Sequence, residues 1–164
     1  MKQFHTNYVK TKIGTIELKC DSQNVLSLDI AKEIDKSIEP NTLTCSNCKS
    51  AAQQLQEYFS GERTQFDLPV AFSGSNLQMA VWSYLRTIPY GATVSYSQAA
   101  DAVNCKSVRA VGTIIGKNPI PIIIPCHRVI RKDGTIGEFS LVGPELKKQL
   151  LAFEKANHNI TNNE

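Results

Sequence analysis

Cys126 and His127 stand side by side at the end of Ile120-Pro121-Ile122-Ile123-Ile124-Pro125, an apolar run broken only by proline. A thiol becomes a nucleophile toward carbon where its surroundings favour the thiolate, and a histidine is a base able to take its proton. A run this apolar is expected to be buried, which would put Cys126 at the floor of a site. Pro119, Pro121 and Pro125 bias the backbone to extended conformations and remove amide donors. The stretch is therefore expected as an extended arm, neither helix nor ordinary central strand. Buried thiols are usually inert, so the rest of the chain must supply what activates this one and what it attacks.

With 164 residues the chain has room for one sizeable domain or two small lobes, and 41% hydrophobic with 20% charged residues is ordinary for a globular protein. No apolar run approaches the roughly 20 residues that span a bilayer. Met1-Lys2-Gln3-Phe4-His5 begins no signal peptide, and no membrane partner is expected. Five cysteines cannot all pair, which points to a reducing cytoplasm. The net charge of +3 conceals an asymmetry. Residues 1–72 carry 8 basic and 9 acidic side chains, whereas residues 73–164 carry 10 and 6. Between 73 and 132, Arg86, Lys106, Arg109, Lys117, Arg128, Arg131 and Lys132 face Asp101 alone. Such a segment is often only a solvated face, yet it also fits a polyanionic partner.

The elements that must hold the thiol fall into two lobes, 1–73 and 74–164, divided at the turn-rich Phe72-Ser73-Gly74-Ser75-Asn76. In the first, Ile13–Cys20 and Val25–Ile30 alternate apolar and polar residues around Asp21-Ser22-Gln23-Asn24, predicting a hairpin within a small antiparallel sheet. A loop over Ala31–Asn41 and a helix over Cys45–Ser60, stopped by Gly61, follow. The second lobe is predicted helical. A stripe of Leu77, Ala80, Val81, Tyr84, Leu85 and Ile88 forms one helix and Ser95–Val103 a second. A third starts near Ser107 and buries Val108, Val111, Ile114 and Ile115. The tight turn between the last two, inside the basic segment, has the form of a helix-turn-helix. Arg131-Lys132-Asp133-Gly134 reads as a turn joining strands Val129-Ile130 and Thr135-Ile136, a small wing. A last helix opens at Pro144 with Leu146, Leu150, Leu151 and Phe153 as its apolar face, and the tail from Asn157 is expected to fray. The fold class is thus α/β (α+β).

At this point several motifs share one order. Val81-Trp82, Ile88-Pro89-Tyr90-Gly91, Ser95-Tyr96, Arg109-Ala110-Val111-Gly112, Asn118-Pro119 and Pro125-Cys126-His127-Arg128-Val129 occur in sequence. With them the second lobe resembles the O6-alkylguanine-DNA alkyltransferases, also called methylated-DNA–protein-cysteine methyltransferases. The resemblance covers about residues 66–156 well and the first lobe loosely. It implies a ribonuclease-H-like first lobe and a winged-helix-turn-helix second lobe that binds DNA. It also implies direct damage reversal, in which the cysteine takes the alkyl group from O6 of guanine, and from O4 of thymine, and keeps it. Each molecule then acts once, without cofactor, as a monomer on double-stranded DNA approached from the minor groove.

Carried over residue by residue, the resemblance implies Cys126 as nucleophile and His127 as a base acting through water. Glu154 would orient the histidine, and Asn118 would be the hinge beside the thiol. Without it, His127 reads as a core or surface histidine, Glu154 as a solvated helix residue and Asn118 as a helix C-terminal residue. Guanine O6 is hidden in duplex DNA, so the base must be turned out of the stack. Arg109 would fill the vacated space and Tyr96 would meet the 3′ phosphate and give a proton to the departing guanine. Ala110 and Gly112 would let their helix approach the groove. Gly112 could equally serve tight packing against the neighbouring helix. Phe139 and Ser140 belong to the loop closing over the extruded base, where Phe139 stands for a frequent tyrosine, and Leu141 and Val142 stand for small residues. That departure bears on bulky alkyl groups rather than on methyl. Leu77 replaces a common phenylalanine, a core exchange.

Cys45-Ser46-Asn47-Cys48 has metal-ligand spacing, but no second close pair of Cys or His completes a site, and His5 and Cys20 would have to come from afar. Free thiols at a helix start and no metal are the expectation, with a structural zinc, which some members of the resembled family hold in their first lobe, as the open alternative. Two other readings compete for Cys126. A cysteine hydrolase lacks an oxyanion-hole glycine segment beside the thiol, and neighbours on an extended chain point to opposite sides. A lesion binder that flips guanine without repairing it would have no use for the cysteine.

Overall fold

Ile16, Leu18 and Cys20 alternate with half-buried or exposed neighbours, and that period of two makes the first lobe a sheet. The structure, a computed structural model, describes residues 4–33, 45–137 and 143–161, with side chains to 158. The chain divides into two compact units, Met1–Phe72 and Ser73–Glu164.

In the first unit, strands β1 (His5–Thr11), β2 (Gly14–Cys20) and β3 (Val25–Ile30) form an antiparallel sheet in the order β1-β2-β3. The predicted hairpin is β2-β3, pairing Leu18 with Leu28. Strand β1 is not legible in the sequence, because its middle residues Asn7, Tyr8 and Val9 are all buried and blur the alternation. Helix α1 (Ser46–Ser60) lays Cys48, Ala51, Ala52, Leu55, Tyr58 and Phe59 inward. It ends where Gly61 takes a left-handed φ of 86° and donates to Glu57 and Tyr58 carbonyls. Most of the loop expected over Ala31–Asn41 lies outside the described residues.

The second unit holds α2 (Asn76–Leu85), β4 (Val94–Ser95), α3 (Tyr96–Ala102), α4 (Val108–Gly116), a 3₁₀ turn (Cys126–Arg128), β5 (Val129–Ile130) and α5 (Pro144–Thr161). Ser75 and Gln78 close a capping box on α2, and Ser95 and Gln98 close another on α3. The indole Nε1 of Trp82 donates to the Ile114 carbonyl at 3.1 Å, tying α2 to α4. Helices α3 and α4 form the helix-turn-helix, joined through Asn104 at φ 54°.

The expected wing takes a different form. Val129-Ile130 pairs in parallel with β4 (Val94 with Val129) rather than with Thr135-Ile136. The turn itself is present, closed by Arg131 N–H to Thr135 O and Gly134 N–H to Arg131 O. On α4, Val111 and Ile115 are buried as expected, but Val108 is 42% exposed, because the helix begins beyond the packed interface. Ala80 is exposed and Trp82 takes its place in the core of α2. The last helix does not fray at Asn157. It runs to Thr161, and Asn157 Nδ2 donates to the Tyr90 hydroxyl at 3.3 Å.

Candidate active site

The segment before the thiol is a tight turn, not an extended arm. Ile124 N–H returns to Ile120 O at 2.8 Å, and Asn118 clamps both ends of the turn. Its Nδ2 donates to Ile124 O at 2.7 Å, and its Oδ1 accepts from Ile120 N–H at 3.0 Å. Ile122 is driven to φ 74°, a conformation that a β-branched side chain avoids. Proline bias alone points to extension. The asparagine clamp and the burial of Ile120, Ile122, Ile123 and Ile124 overrule it.

Cys126 then opens a 3₁₀ turn with His127 and Arg128. In such a turn successive side chains lie about 120° apart, so the premise that adjacent side chains oppose each other does not hold here. The thiol is 2% exposed. Burial pushes it up to about 11, while the Asn118 amide and the Lys147 ammonium pull it back without prevailing.

His127 and Glu154 are both fully buried, with Nε2 2.7 Å from Oε1. Arg128 donates from Nε to Oε2 and from Nη2 to Oε1, each at 2.9 Å, and from Nη1 to the Ile88 carbonyl at 2.6 Å. The Gly91 N–H adds a bond to Oε2 at 3.1 Å. Burial alone would raise the Glu154 carboxyl, but the bonds from His127 and Arg128 hold it far below the usual range. For His127 burial wins and lowers the imidazole, against the pull of Glu154. Because Arg128 already balances the carboxylate, the pair is a neutral imidazole on an ionised glutamate. The carboxylate accepts, so Nε2 carries the proton and Nδ1 keeps its lone pair. That Nδ1 is buried and has no hydrogen-bond partner among the described residues.

Lys147, one helical turn after Pro144, is also fully buried. Its Nζ lies 3.2 Å from the Tyr96 hydroxyl and 5.4 Å from the ring centre. Tyr96 separates this interior from a surface cleft of about 760 Å³, lined by Tyr96, Arg109, Gly112 and Arg131 among others. Cys126 is not among its lining residues, whereas Tyr96 meets both the cleft and the Lys147 ammonium.

The structure thus brings Cys126, His127, Glu154 and Asn118 into one buried cluster, and Tyr96, Arg109 and Gly112 into one cleft. Ala110 is half-buried and does not line the cleft. Phe139 and Ser140, with Leu141 and Val142, lie outside the described residues. A β-carbon on Gly112 would meet Tyr96 at 3.6 Å, ordinary contact, so packing does not demand glycine there. Two site residues, Arg128 and Lys147, escape a reading of the sequence. Arg128 counts there as part of the basic segment, but it is 6% exposed and spent on Glu154. Lys147 is detectable in principle: it shares one helical stripe with Leu146, Leu150 and Glu154, all buried.

Comparison with known proteins adds to this geometry. Residues 76–156 match the DNA binding domain of 6-O-methylguanine DNA methyltransferase, and residues 4–72 match its ribonuclease-like domain. A methylated-DNA–protein-cysteine methyltransferase of Mycobacterium bovis is 45% identical over 157 residues, 93% of each chain. The crystal structure of Mycobacterium tuberculosis O6-methylguanine methyltransferase superposes with a TM-score of 0.82 at 34% identity, over 94% of each chain. The crystal structure of Mycobacterium tuberculosis OGT in complex with DNA gives 0.81 at 35%, over 93% of this chain and 94% of the other. No helix among the described residues is long and apolar enough to cross a membrane.

Proposed function

This chain belongs to the 6-O-methylguanine DNA methyltransferase family, and from that premise we propose that it repairs alkylated DNA by moving the alkyl group onto Cys126. The protein is a single-turnover methylated-DNA–protein-cysteine S-methyltransferase, and DNA is its partner. Its substrate is O6-alkylguanine, and O4-alkylthymine, in duplex DNA entered from the minor groove by a monomer in the cytoplasm. The observation that carries the reading is the buried His127 next to Cys126, with Nε2 fixed on Glu154 and Nδ1 unpaired among the described residues.

The chemistry follows from these groups. The Cys126 proton passes through a water molecule to His127 Nδ1, and Glu154 stabilises the imidazolium that forms. Sγ attacks the alkyl carbon in line, a C–S bond forms as the C–O6 bond breaks, and the electron pair leaves with guanine. Tyr96 gives guanine a proton, and Lys147 beside the phenol oxygen stabilises the charge left there. A thiol at about 11 is unreactive at rest, so the relay confines its activation to the loaded site. Arg109, exposed at the start of α4, enters the space of the extruded base, and Gly112 and Ala110 allow the helix to approach the groove.

The test is the mass of the Cys126 peptide after incubation with duplex DNA carrying one O6-methylguanine. The expected result is one methyl group per chain on Cys126 and unmodified guanine in the DNA, with Cys126→Ala binding DNA but removing nothing. DNA binding without a gain in mass would make the protein a lesion binder.

A further inference from the structure

The sheet of the first unit has two edges, and they are finished differently. At β3 the chain covers its own edge: Val25 N–H donates to the Pro69 carbonyl at 2.8 Å, and the Val25 carbonyl accepts from Ala71 N–H at 3.1 Å. Strand β1 is the other outer strand, and among the described residues it pairs with β2 alone. The pairing runs unbroken from His5 with Cys20 to Thr11 with Gly14, without bulge or proline. Alternate residues of β1 therefore turn a regular row of N–H and C=O groups away from β2. Folded proteins blunt such an edge, and a lone lysine is one guard. Here Lys10 stands instead with Lys12 at a cleft of about 660 Å³ between the end of β1 and the last turns of α1, lined also by Thr11, Gln56, Phe59 and Ser60. None of these is acidic. Glu57, on the same turn of α1, is held by Arg63 Nε at 2.6 Å, and Lys10 is exposed with no ion pair among the described residues. Just before the strand begins, Phe4 is 61% exposed.

We propose that the outer edge of β1 is a docking site for an extended acidic segment of a partner protein, which joins the sheet as a fourth strand and sets its carboxylates on Lys10 and Lys12. In such an addition main-chain hydrogen bonds supply the affinity, and side chains on alternate faces supply the specificity. Phe4 and Lys10 are six residues apart, an even spacing that puts both on one face of an extended chain. An added strand meets them with residues that are also six apart, one apolar and one acidic. The pairs β1-β2 and β2-β3 are antiparallel, and continued in that sense the acidic end of the segment comes first. A second copy of this chain fits less well, because β1 carries no acidic residue to offer the lysines. Duplex DNA would find the two ammonium groups but makes no use of Phe4 or of a row of peptide groups.

The experiment adds to the full chain a fluorescein-labelled, threonine-rich peptide with two aspartates near its N-terminus and a leucine six residues further on. Anisotropy reads binding, and hydrogen exchange reads the β1 amides. The expected result is one peptide per chain with slowed exchange in β1. Lys10→Glu combined with Lys12→Glu, both exposed, should weaken binding about tenfold. N-methylation of alternate peptide amides should abolish binding in one phase and spare it in the other, since only every second N–H of an added strand faces β1. Equal binding of the two methylated peptides means charge attraction without strand addition and overturns the proposal. It is overturned equally by no binding, by a native mass showing two chains paired through β1, or by a short DNA duplex that binds more tightly and protects the same amides. Methyl transfer to Cys126 should be the same with peptide and in the double variant, so the repair chemistry stands or falls separately.

Discussion

Gly137 lies so close to Tyr96 that a β-carbon built on it would sit 2.6 Å from the phenol oxygen. Gly112 stands against another part of the ring, where an added carbon would be at 3.6 Å. The phenol is therefore held beside Lys147 partly by the absence of a side chain at 137. The two glycines make opposite demands.

Gly137→Ala must displace Tyr96, so transfer should fall strongly and Tyr96→Phe in that background should cost little more. Gly112→Ala should keep or raise the melting temperature, since alanine favours a helix interior by about 1 kcal/mol. If α4 docks in the groove, that same variant should weaken duplex DNA binding. Unchanged DNA affinity in Gly112→Ala would remove close helix approach from the reading.

Lys147→Met tests the electrostatics of the thiol. In the free protein, alkylation of Cys126 by iodoacetamide should rise through the alkaline range with a midpoint of about 11. Loss of the ammonium should move that midpoint upward, and one pH unit would slow the reaction about tenfold at fixed pH. Stability should hold, because an apolar chain of similar volume replaces a buried charge.

Arg128→Ala leaves Glu154 buried and short of its counter-charge, and the melt should show a loss of roughly 3–5 kcal/mol. Arg128→Lys should recover only part of it, since an ammonium cannot reproduce the paired bonds to both carboxylate oxygens. A stable Arg128→Ala protein would mean that Glu154 has taken up a proton.

Acid should destabilise the fold in two stages. His127 is depressed below 6.5, so as pH falls through 6.5 the unfolded chain binds the proton more readily and stability declines. Glu154 is depressed below 4.5, so its contribution is complete above 4.5 and is lost on further acidification. The melting temperature should be flat from 6.5 up to the ordinary thiol range near 9.0, above which the raised Cys126 costs stability, and should fall below 6.5, more steeply under 4.5. His127→Gln should remove the upper stage. A melting temperature that rises on acidification would place a charged imidazole in the folded site.

Arg109→Ala should slow repair of duplex DNA far more than reaction with a free O6-alkylated guanine base, and binding of duplex should weaken with salt. Equal losses on both substrates would take Arg109 out of base extrusion.

Periodicity and capping make much of this architecture readable: the β2-β3 hairpin, α1 up to Gly61 and the α3–α4 pair follow from local patterns. What escapes is set by distant partners. The clamp of Asn118 on Ile120 and Ile124 folds a proline-rich run into a turn that no local preference favours, since it puts Ile122 in the left-handed region. Strand β5 pairs with β4, some 35 residues earlier, instead of its near neighbour. Arg128 looks like surface charge because its counter-charge Glu154 lies 26 residues away. Lys147 looks like an ordinary helix residue until its face is known to be buried.

The depth of Cys126 has a consequence for how such a protein is counted. A thioether formed at a sulfur that is 2% exposed is shielded from water, and unlike an acyl-enzyme it carries no group that hydrolysis could release. The added carbon must also be housed in a packed interior, which disturbs the fold around it. On the proposed chemistry the protein is a consumable reagent, a dosimeter whose spent copies tally the lesions removed. Repair capacity is then set by the rate of synthesis rather than by a catalytic constant.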